Sequence, residues 1–358
     1  MTVCNACRYC EGYCAVFQAM ERRVAFPAAD MNYLANLCHN CGECLYACQY
    51  APPHEFNINV PRNLAQIRLA SYEQYAWPRP LAALMRRHTP LATTGLVAAF
   101  TALLLAASAL TTGDALWRAD PGADFYAVVP HVSMVAVFGS VFAFAVLALA
   151  IGVARFADDT RRASVAAGLP QTPGRGWRAL KDALTLRHLH ASGADCVSGE
   201  EEHRPWRRWC HHLVLGGFLL CFASTTVAAL YHGVFGGVAP YAVTSLPVVF
   251  GTLGGVALAG GSGGLWMLYG RRDPSLGDPV QVPGDRSFLA LLFMTTVTGL
   301  ALLVLRTSAV MGVLLIVHLA TVLALFVTLP YGKFVHGIYR VAALLAFERE
   351  SDPASPLH

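Results

Sequence analysis

Cys4-Asn5-Ala6-Cys7-Arg8-Tyr9-Cys10-Glu11-Gly12-Tyr13-Cys14 is answered 34 residues later by Cys38-His39-Asn40-Cys41-Gly42-Glu43-Cys44-Leu45-Tyr46-Ala47-Cys48. Each run reads C-x2-C-x2-C-x3-C, and all four cysteines keep the same offset. Eight of the eleven cysteines fall in these two runs, with only Cys196, Cys210 and Cys221 elsewhere. No secretory leader is legible ahead of Cys4, so this end of the chain is expected in the cytoplasm. Disulfides are rare in that compartment, and a dense cysteine array there points to metal or redox chemistry.

Three thiolates at three-residue intervals can wrap one cube of iron and sulfide, and the chain then leaves before a fourth ligand reaches the same cube. The spacing is that of two-cluster bacterial ferredoxins, in which the fourth cysteine of each run ligates the other cluster. One [4Fe-4S] cluster is therefore expected on Cys4, Cys7, Cys10 and Cys48, and the other on Cys38, Cys41, Cys44 and Cys14. Structural zinc is the alternative, but zinc modules pair their cysteines and then separate the pairs. The proline that ferredoxins place directly after the fourth cysteine is missing, since Ala15 and Gln49 stand there and Pro52 and Pro53 come later. That departure, with a helix-length stretch over 15–37, predicts a helical ferredoxin variant.

Beyond residue 90 the composition changes. The chain is 55% hydrophobic and 13% charged, against roughly 25% charged for a soluble domain. Apolar runs near 91–112, 126–154, 211–231, 241–269, 286–306 and 309–335 are each long enough to cross a bilayer core of roughly 30 Å. In lipid such runs are helical, because every backbone N–H and C=O must be satisfied within the segment. The reading is mainly α: a ferredoxin-like domain over 1–75, a juxtamembrane linker over 76–90, a six-helix transmembrane domain over 91–340 and a cytoplasmic tail over 341–358. The loop over 155–210 holds ten Lys or Arg, from Arg155 to Arg208, and Arg271, Arg272 and Arg286 flank the next inner loop. The expected outer loops hold Arg118 and Arg306. Positive residues accumulate inside, which predicts both termini on the cytoplasmic face of a bacterial-type inner membrane. A net charge of +4 without a dense basic run gives no sign of nucleic-acid binding.

Ionisable residues within membrane helices point to function. His131, His211, His212, His232, His318 and His336 lie in or at the ends of the apolar runs. His318 and His336 stand 18 residues apart, which is five helical turns and about 27 Å on a continuous helix. Both rings would then share one face, near opposite membrane surfaces, as two stacked b-type haems require. His211, His212 and His336 mark the inner end, where His212 with His336 is the expected axial pair. His318 with His131 or His232 is the expected outer pair, so one haem b or two can be accommodated. Each histidine taken alone is equally a satisfied polar contact.

Other features have plainer readings. The glycines of the fourth run, from Gly251 to Gly264, suit close helix packing. They do not form a nucleotide loop, which needs a preceding strand, and no flavin is expected on this chain. Cys221 reads as a buried small hydrophobe. His188, His190, Asp195, Cys196, Glu200–Glu202 and His203 read as a solvated loop, with a partner-docking surface or part of a quinone pocket as the minority readings.

The first cysteine run, the stretch from Ala35 to Phe56, Leu189–Cys196 and Arg207–His212 together resemble the tricarballylate-utilisation (citrate-utilisation) B proteins. They are also similar to the membrane half of a cobalamin-pathway flavin, haem and iron–sulfur oxidase. The segment from His318 through Pro330 to His336 resembles the last helix of the nitrate reductase gamma subunit, where the matching histidines bind haem. That subunit's second histidine pair maps onto His212 and Phe222, so the outer haem departs from its pattern. The resemblance implies a redox subunit that takes electrons from a flavoprotein dehydrogenase of tricarballylate or a related tricarboxylate and passes them to membrane quinone. Rival readings are a heterodisulfide-reductase-like or quinol-oxidising module, and a membrane redox sensor.

Overall fold

The computed structural model describes residues 1–87, 89–112, 116–117, 124–173, 176–189, 206–237 and 239–351. Among them every regular element is helical. The cysteine-rich end folds as α1 (Thr2–Cys7), α2 (Ala15–Glu21), α3 (Ala28–Leu37), α4 (Glu43–Tyr46) and α5 (Val60–Tyr75). Each cysteine run thus wraps the end of one short helix and the start of another. Asn59 caps α5 by accepting from the Arg62 N–H, and Pro61 occupies its first turn, where a missing N–H costs nothing. Asn59 also donates to the Ser275 carbonyl, and Tyr46 donates to Asp273, so this domain rests on the 271–281 segment.

Six helices have the length and hydropathy to cross a bilayer. They are α7 (Thr89–Thr112), α9 (His131–Ala166), α11 (Trp206–Gly233), α12 (Leu246–Gly270), α13 (Val282–Val304) and α14 (Met311–Thr328). The elements between are α6 (Arg79–Arg87), α8 (Phe125–Val128) and α10 (Gly176–Thr185). Helices α11 and α12 pack backbone to backbone. A Cβ on Gly217 would lie 2.6 Å from the Leu258 nitrogen, and one on Gly254 would lie 2.8 Å from the Cys221 nitrogen. The expected small-residue packing is therefore present, and Cys221 sits half-buried beside it.

Three expectations need correction. The run expected to end at 154 continues as a helix to Ala166. Its 36 residues reach about 54 Å, well past a core of roughly 30 Å. The overhang is amphipathic: Gly152, Phe156, Thr160 and Ser164 recur every fourth residue and are buried, while Arg161 and Arg162 face outward. The second correction concerns the last helix. Helix α14 stops at Thr328, the chain turns through 329–334, and α15 (Val335–Arg349) starts afresh. Pro330 has no N–H to continue the ladder. His318 and His336 therefore sit on different helices, and the five-turn register does not apply. Nor is 341–351 a polar tail, because α15 buries Tyr339, Ala343, Leu344 and Phe347 against α3, α9 and α10.

An ion-pair network locks the chain's two ends together. The Arg23 guanidinium is 1% exposed and donates to Asp30 at 2.6 Å and to both Glu350 oxygens at 2.5 and 3.0 Å. Tyr33 and Ser164 also donate to Glu350, so α3 and the α9 overhang converge on one carboxylate. Removing one partner of a buried pair strands the other charge, at a cost of about 3–5 kcal/mol. Glu350→Ala is expected to lower the urea midpoint of the N-terminal domain accordingly, read by pulse proteolysis of the detergent-solubilised protein. Ser351→Ala, next to it, removes only one neutral hydrogen bond and is expected to shift the midpoint far less.

Candidate redox centre

The two cysteine runs surround two adjoining cavities. One is lined by Cys14, Cys38, Cys41 and Cys44 with Phe17, Val60 and Leu64. The other is lined by Cys4, Cys7, Cys10 and Cys48 with Tyr50 and Ile58, and Cys44 reaches its edge. The fourth cysteine of each run thus stands with the first three of the other. Electrostatics repeats the grouping. Burial pushes the Cys10 thiol up to about 12, and its next influences are Cys48, Cys4 and Cys7. Burial also raises Cys14, whose neighbours are Cys41 and Cys38. Crowded, buried thiols hold their protons unless a cation replaces them. Among the described residues no three His, Cys, Asp or Glu side chains converge tightly enough for a single metal ion. The thiols instead ring cavities, a donor set suited to a polynuclear iron–sulfide cluster.

Polar donors surround the sulfurs. The Asn40 N–H points to Cys38 Sγ at 3.3 Å, Gln49 Nε2 to Cys7 Sγ at 3.8 Å, and the Val16 and Phe17 N–H groups to Cys14. Such hydrogen bonds favour the more reduced cluster and so raise its potential. Gly42 makes the turn between Cys41 and Glu43 with φ +98°, a left-handed conformation, and its Cα faces the Leu276 side chain.

Beneath the cavity lined by Cys14, Cys38, Cys41 and Cys44 lies a set of cations that sequence reasoning missed. Arg340 is 7% exposed and donates to the Cys38 carbonyl at 2.5 Å. Arg68 donates to the Ala35 carbonyl at 2.7 Å, and Arg207 and Arg272 both donate to the Asn40 carbonyl. Burial, with Arg68 nearby, brings Arg340 down to about 10, and Cys38 acts in the opposite direction. These residues come from α5, α11, the 271–281 segment and α15, so no local pattern announces them. Their positive charge sits where an added electron on the Cys38 side would be favoured.

The histidines sort into two groups. At the end of the spans nearest the cysteine-rich domain, the His211 and His336 ring centroids lie 6.4 Å apart with their planes at 52°. A metal about 2 Å from one nitrogen of each imidazole separates the ring centroids by roughly 6 Å, so the separation of this pair suits an iron between its rings. The Lys333 carbonyl accepts from His336 Nδ1, which leaves the Nε2 lone pair for a metal. Burial, and then Lys333, lowers the His336 pKa well below its ordinary value, so the ring is neutral. His212, the expected partner, instead places Nε2 3.0 Å from the Leu184 carbonyl of α10.

At the outer end, His131 and His232 stack directly, with centroids 3.9 Å apart and Tyr126 against both. That spacing does not fit an iron between them. His318 Nδ1 lies 3.1 Å from Thr298 Oγ1, and its ring abuts Gly299. The structure does not bring His318 together with His131 or His232 as an axial pair. His190, Asp195, Cys196, Glu200–Glu202 and His203 lie outside the described residues, as does the side chain of His188.

Residues 1–74 match the family model described as citrate utilization protein B Fer4-like domain, and residues 84–355 match the model described as citrate utilization protein B. The chain is 46% identical over 351 residues to citrate utilization protein B of Escherichia coli, covering 98% of this chain and 90% of that protein. No solved structure matches the chain.

A Cβ at Gly42 would meet Leu276 carbons at 2.7 and 2.9 Å, in addition to the left-handed backbone strain. Gly42→Ala is expected to destabilise the Cys38–Cys48 loop by about 1–2 kcal/mol. The check is hydrogen–deuterium exchange, which should speed up across 38–48 and stay unchanged in α12 and α13.

Proposed function

This chain belongs to the citrate utilization protein B family, and we propose that it is the membrane-bound electron-transfer partner of a flavoprotein dehydrogenase. That dehydrogenase oxidises tricarballylate or a related tricarboxylate, and this chain hands its electrons to the quinone pool. The Fer4-like domain and six apolar spans carry the coarser part, iron–sulfur chemistry in a multi-pass membrane protein. The observation that supports the finer part is spatial. Two four-cysteine cavities adjoin each other, and a buried cation layer lies between the Cys14, Cys38, Cys41 and Cys44 cavity and the His211–His336 pair.

We assign one [4Fe-4S] cluster to Cys4, Cys7, Cys10 and Cys48, and the other to Cys14, Cys38, Cys41 and Cys44. His211 and His336 would hold a single haem b, in place of His212 and His336. When bound, these groups supply the one-electron chemistry that links a two-electron flavin to a two-electron quinone. The chain's own residues do the rest. Asn40, Gln49, Val16 and Phe17 donate to sulfur, Arg68 and Arg340 stabilise added negative charge, and the Lys333 carbonyl fixes the His336 tautomer. The cavity of Cys4, Cys7, Cys10 and Cys48 holds the more exposed sulfurs, so the flavoprotein docks on the side of Cys4–Cys10. Arg155, Arg207, Arg271 and Arg272 lie on the iron–sulfur side of the spans, which favours a cytoplasmic position for that domain.

The test is a dithionite-reduced minus oxidised spectrum of anaerobically purified protein, with iron and haem quantified. About eight non-haem irons and one b-type haem per chain are expected. His211→Ala should abolish the haem band and His212→Ala should retain it. Cys14→Ser should remove about half of the non-haem iron while leaving the haem. A haem band that survives His211→Ala but not His212→Ala would reverse the axial assignment, and iron without haem would leave an anchored ferredoxin.

A further inference from the structure

One cavity takes no part in holding these cofactors. It lies between α5, the α6–α7 junction, the start of α13 and the turn at 329–334, at the inner ends of the spans. We propose that it binds the quinone ring, and that the groove leading out of it between α7 and α13 takes the isoprenoid tail. This rests on the reading of quinone as electron acceptor, and it adds the residues that would hold it.

Tyr72 is 7% exposed, lines this cavity, and its buried hydroxyl has no hydrogen-bond partner. An orphaned buried hydroxyl costs about 1–3 kcal/mol, which an incoming acceptor recovers. Lys333 lines the same wall. Its Nζ is 2.8 Å from Asp285 Oδ2, and an ammonium has further N–H donors to offer. A quinone presents two carbonyl acceptors on a flat apolar ring, matching two donors on walls that also carry Leu69, Ala82 and Val280.

Charge selects the ligand class. Lys333 pairs with Asp285, and at the mouth Arg86 pairs with Glu73 at 2.6 Å. The lining is formally neutral, which suits a neutral ring better than the phosphate of a lipid headgroup.

The second half of the site is the groove. It shares Thr89, Gly284, Tyr331 and Gly332 with the ring cavity and continues past Thr93, Phe288 and Leu291 into the membrane-spanning region. Thr89 donates to the Met85 carbonyl of α6 and Thr328 to the Ala324 carbonyl of α14, so their hydroxyls make no demand on a tail. The ring cavity also borders the electron path. The Lys333 backbone bonds to His336, and Tyr72 lies one helical turn from Arg68. Reduction to the quinol takes two electrons, supplied singly from the partner's flavin through this chain, and two protons from water at the mouth beside Glu73 and Arg86.

The full chain in nanodiscs would be photolabelled with an azido-quinone, with decylubiquinone as competitor. Labelled peptides are expected within 69–93, 280–291 or 328–333. Tyr72→Phe should raise the decylubiquinone concentration for half-competition about tenfold, the loss of one hydrogen bond. Thr93→Trp, which fills the groove, should weaken labelling by at least as much, and both variants should keep wild-type iron and haem. Labelling elsewhere, competition unchanged in both variants, or displacement by phospholipid but not by decylubiquinone overturns the site. Reoxidation of the dithionite-reduced wild type by decylubiquinone separates the two failures. If it proceeds while the labelling result is negative, the site falls and the quinone reading stands. If it does not proceed, both fall.

Discussion

A single carboxylate, Glu350, organises the inner half of this molecule. It receives Arg23 from the cysteine-rich domain, Tyr33 from α3 and Ser164 from the far end of α9. A buried charge is tolerated only when its oxygens are fully partnered, so these three elements must arrive together. Around that point Tyr75, Phe156 and Tyr339 pack ring against ring, and the Tyr75 hydroxyl donates to Asp159. The iron–sulfur domain is therefore built into the membrane domain along a continuous apolar and polar seam. The cavities, the cation layer and the histidine pair keep their mutual positions because that seam is closed at both ends of the chain.

Positive charge is concentrated where electrons would pass. Arg68, Arg207, Arg272 and Arg340 each donate to a backbone carbonyl of the 35–40 segment, while buried donors of Arg68, Arg272 and Arg340 are left without a partner. A carbonyl accepts a hydrogen bond without neutralising charge, so a positive potential persists between the second cysteine set and the histidines. This arrangement makes the protein interior costly without the anionic clusters and less costly with them. Folding and cofactor loading are in that sense coupled through electrostatics as well as through ligation.

The parts legible in sequence were those set by local periodicity. The cysteine spacing foreshadowed two groups of four, because a short run that wraps one corner cannot also close it. Apolar run lengths located six spans, because lipid leaves the backbone no alternative to a helix. The choice between His211 and His212 was not legible in the same way. Adjacent residues on a helix differ by about 100° in direction, so the packing of α11 against α10 and α15 decides which ring faces inward. Pro330 did carry the signal for the break between α14 and α15, and reading through it produced the incorrect shared face for His318 and His336. The fourfold row Gly152, Phe156, Thr160 and Ser164 likewise announced that α9 continues beyond lipid. The cation layer and the cavity proposed for quinone draw residues from 68 to 340 and have no local signature.

The long α9 overhang has a kinetic consequence. Many redox chains move a tethered head between donor and acceptor, trading rigidity for reach. Here a pillar rises from the bilayer and holds the head at a set height, with the C-terminal helix braced against its other side. Among the described residues the iron–sulfur domain is braced on both sides, so in the proposed relay shuttling would fall to the electron donor and acceptor. Throughput would then be governed by how often those two carriers collide with a stationary relay.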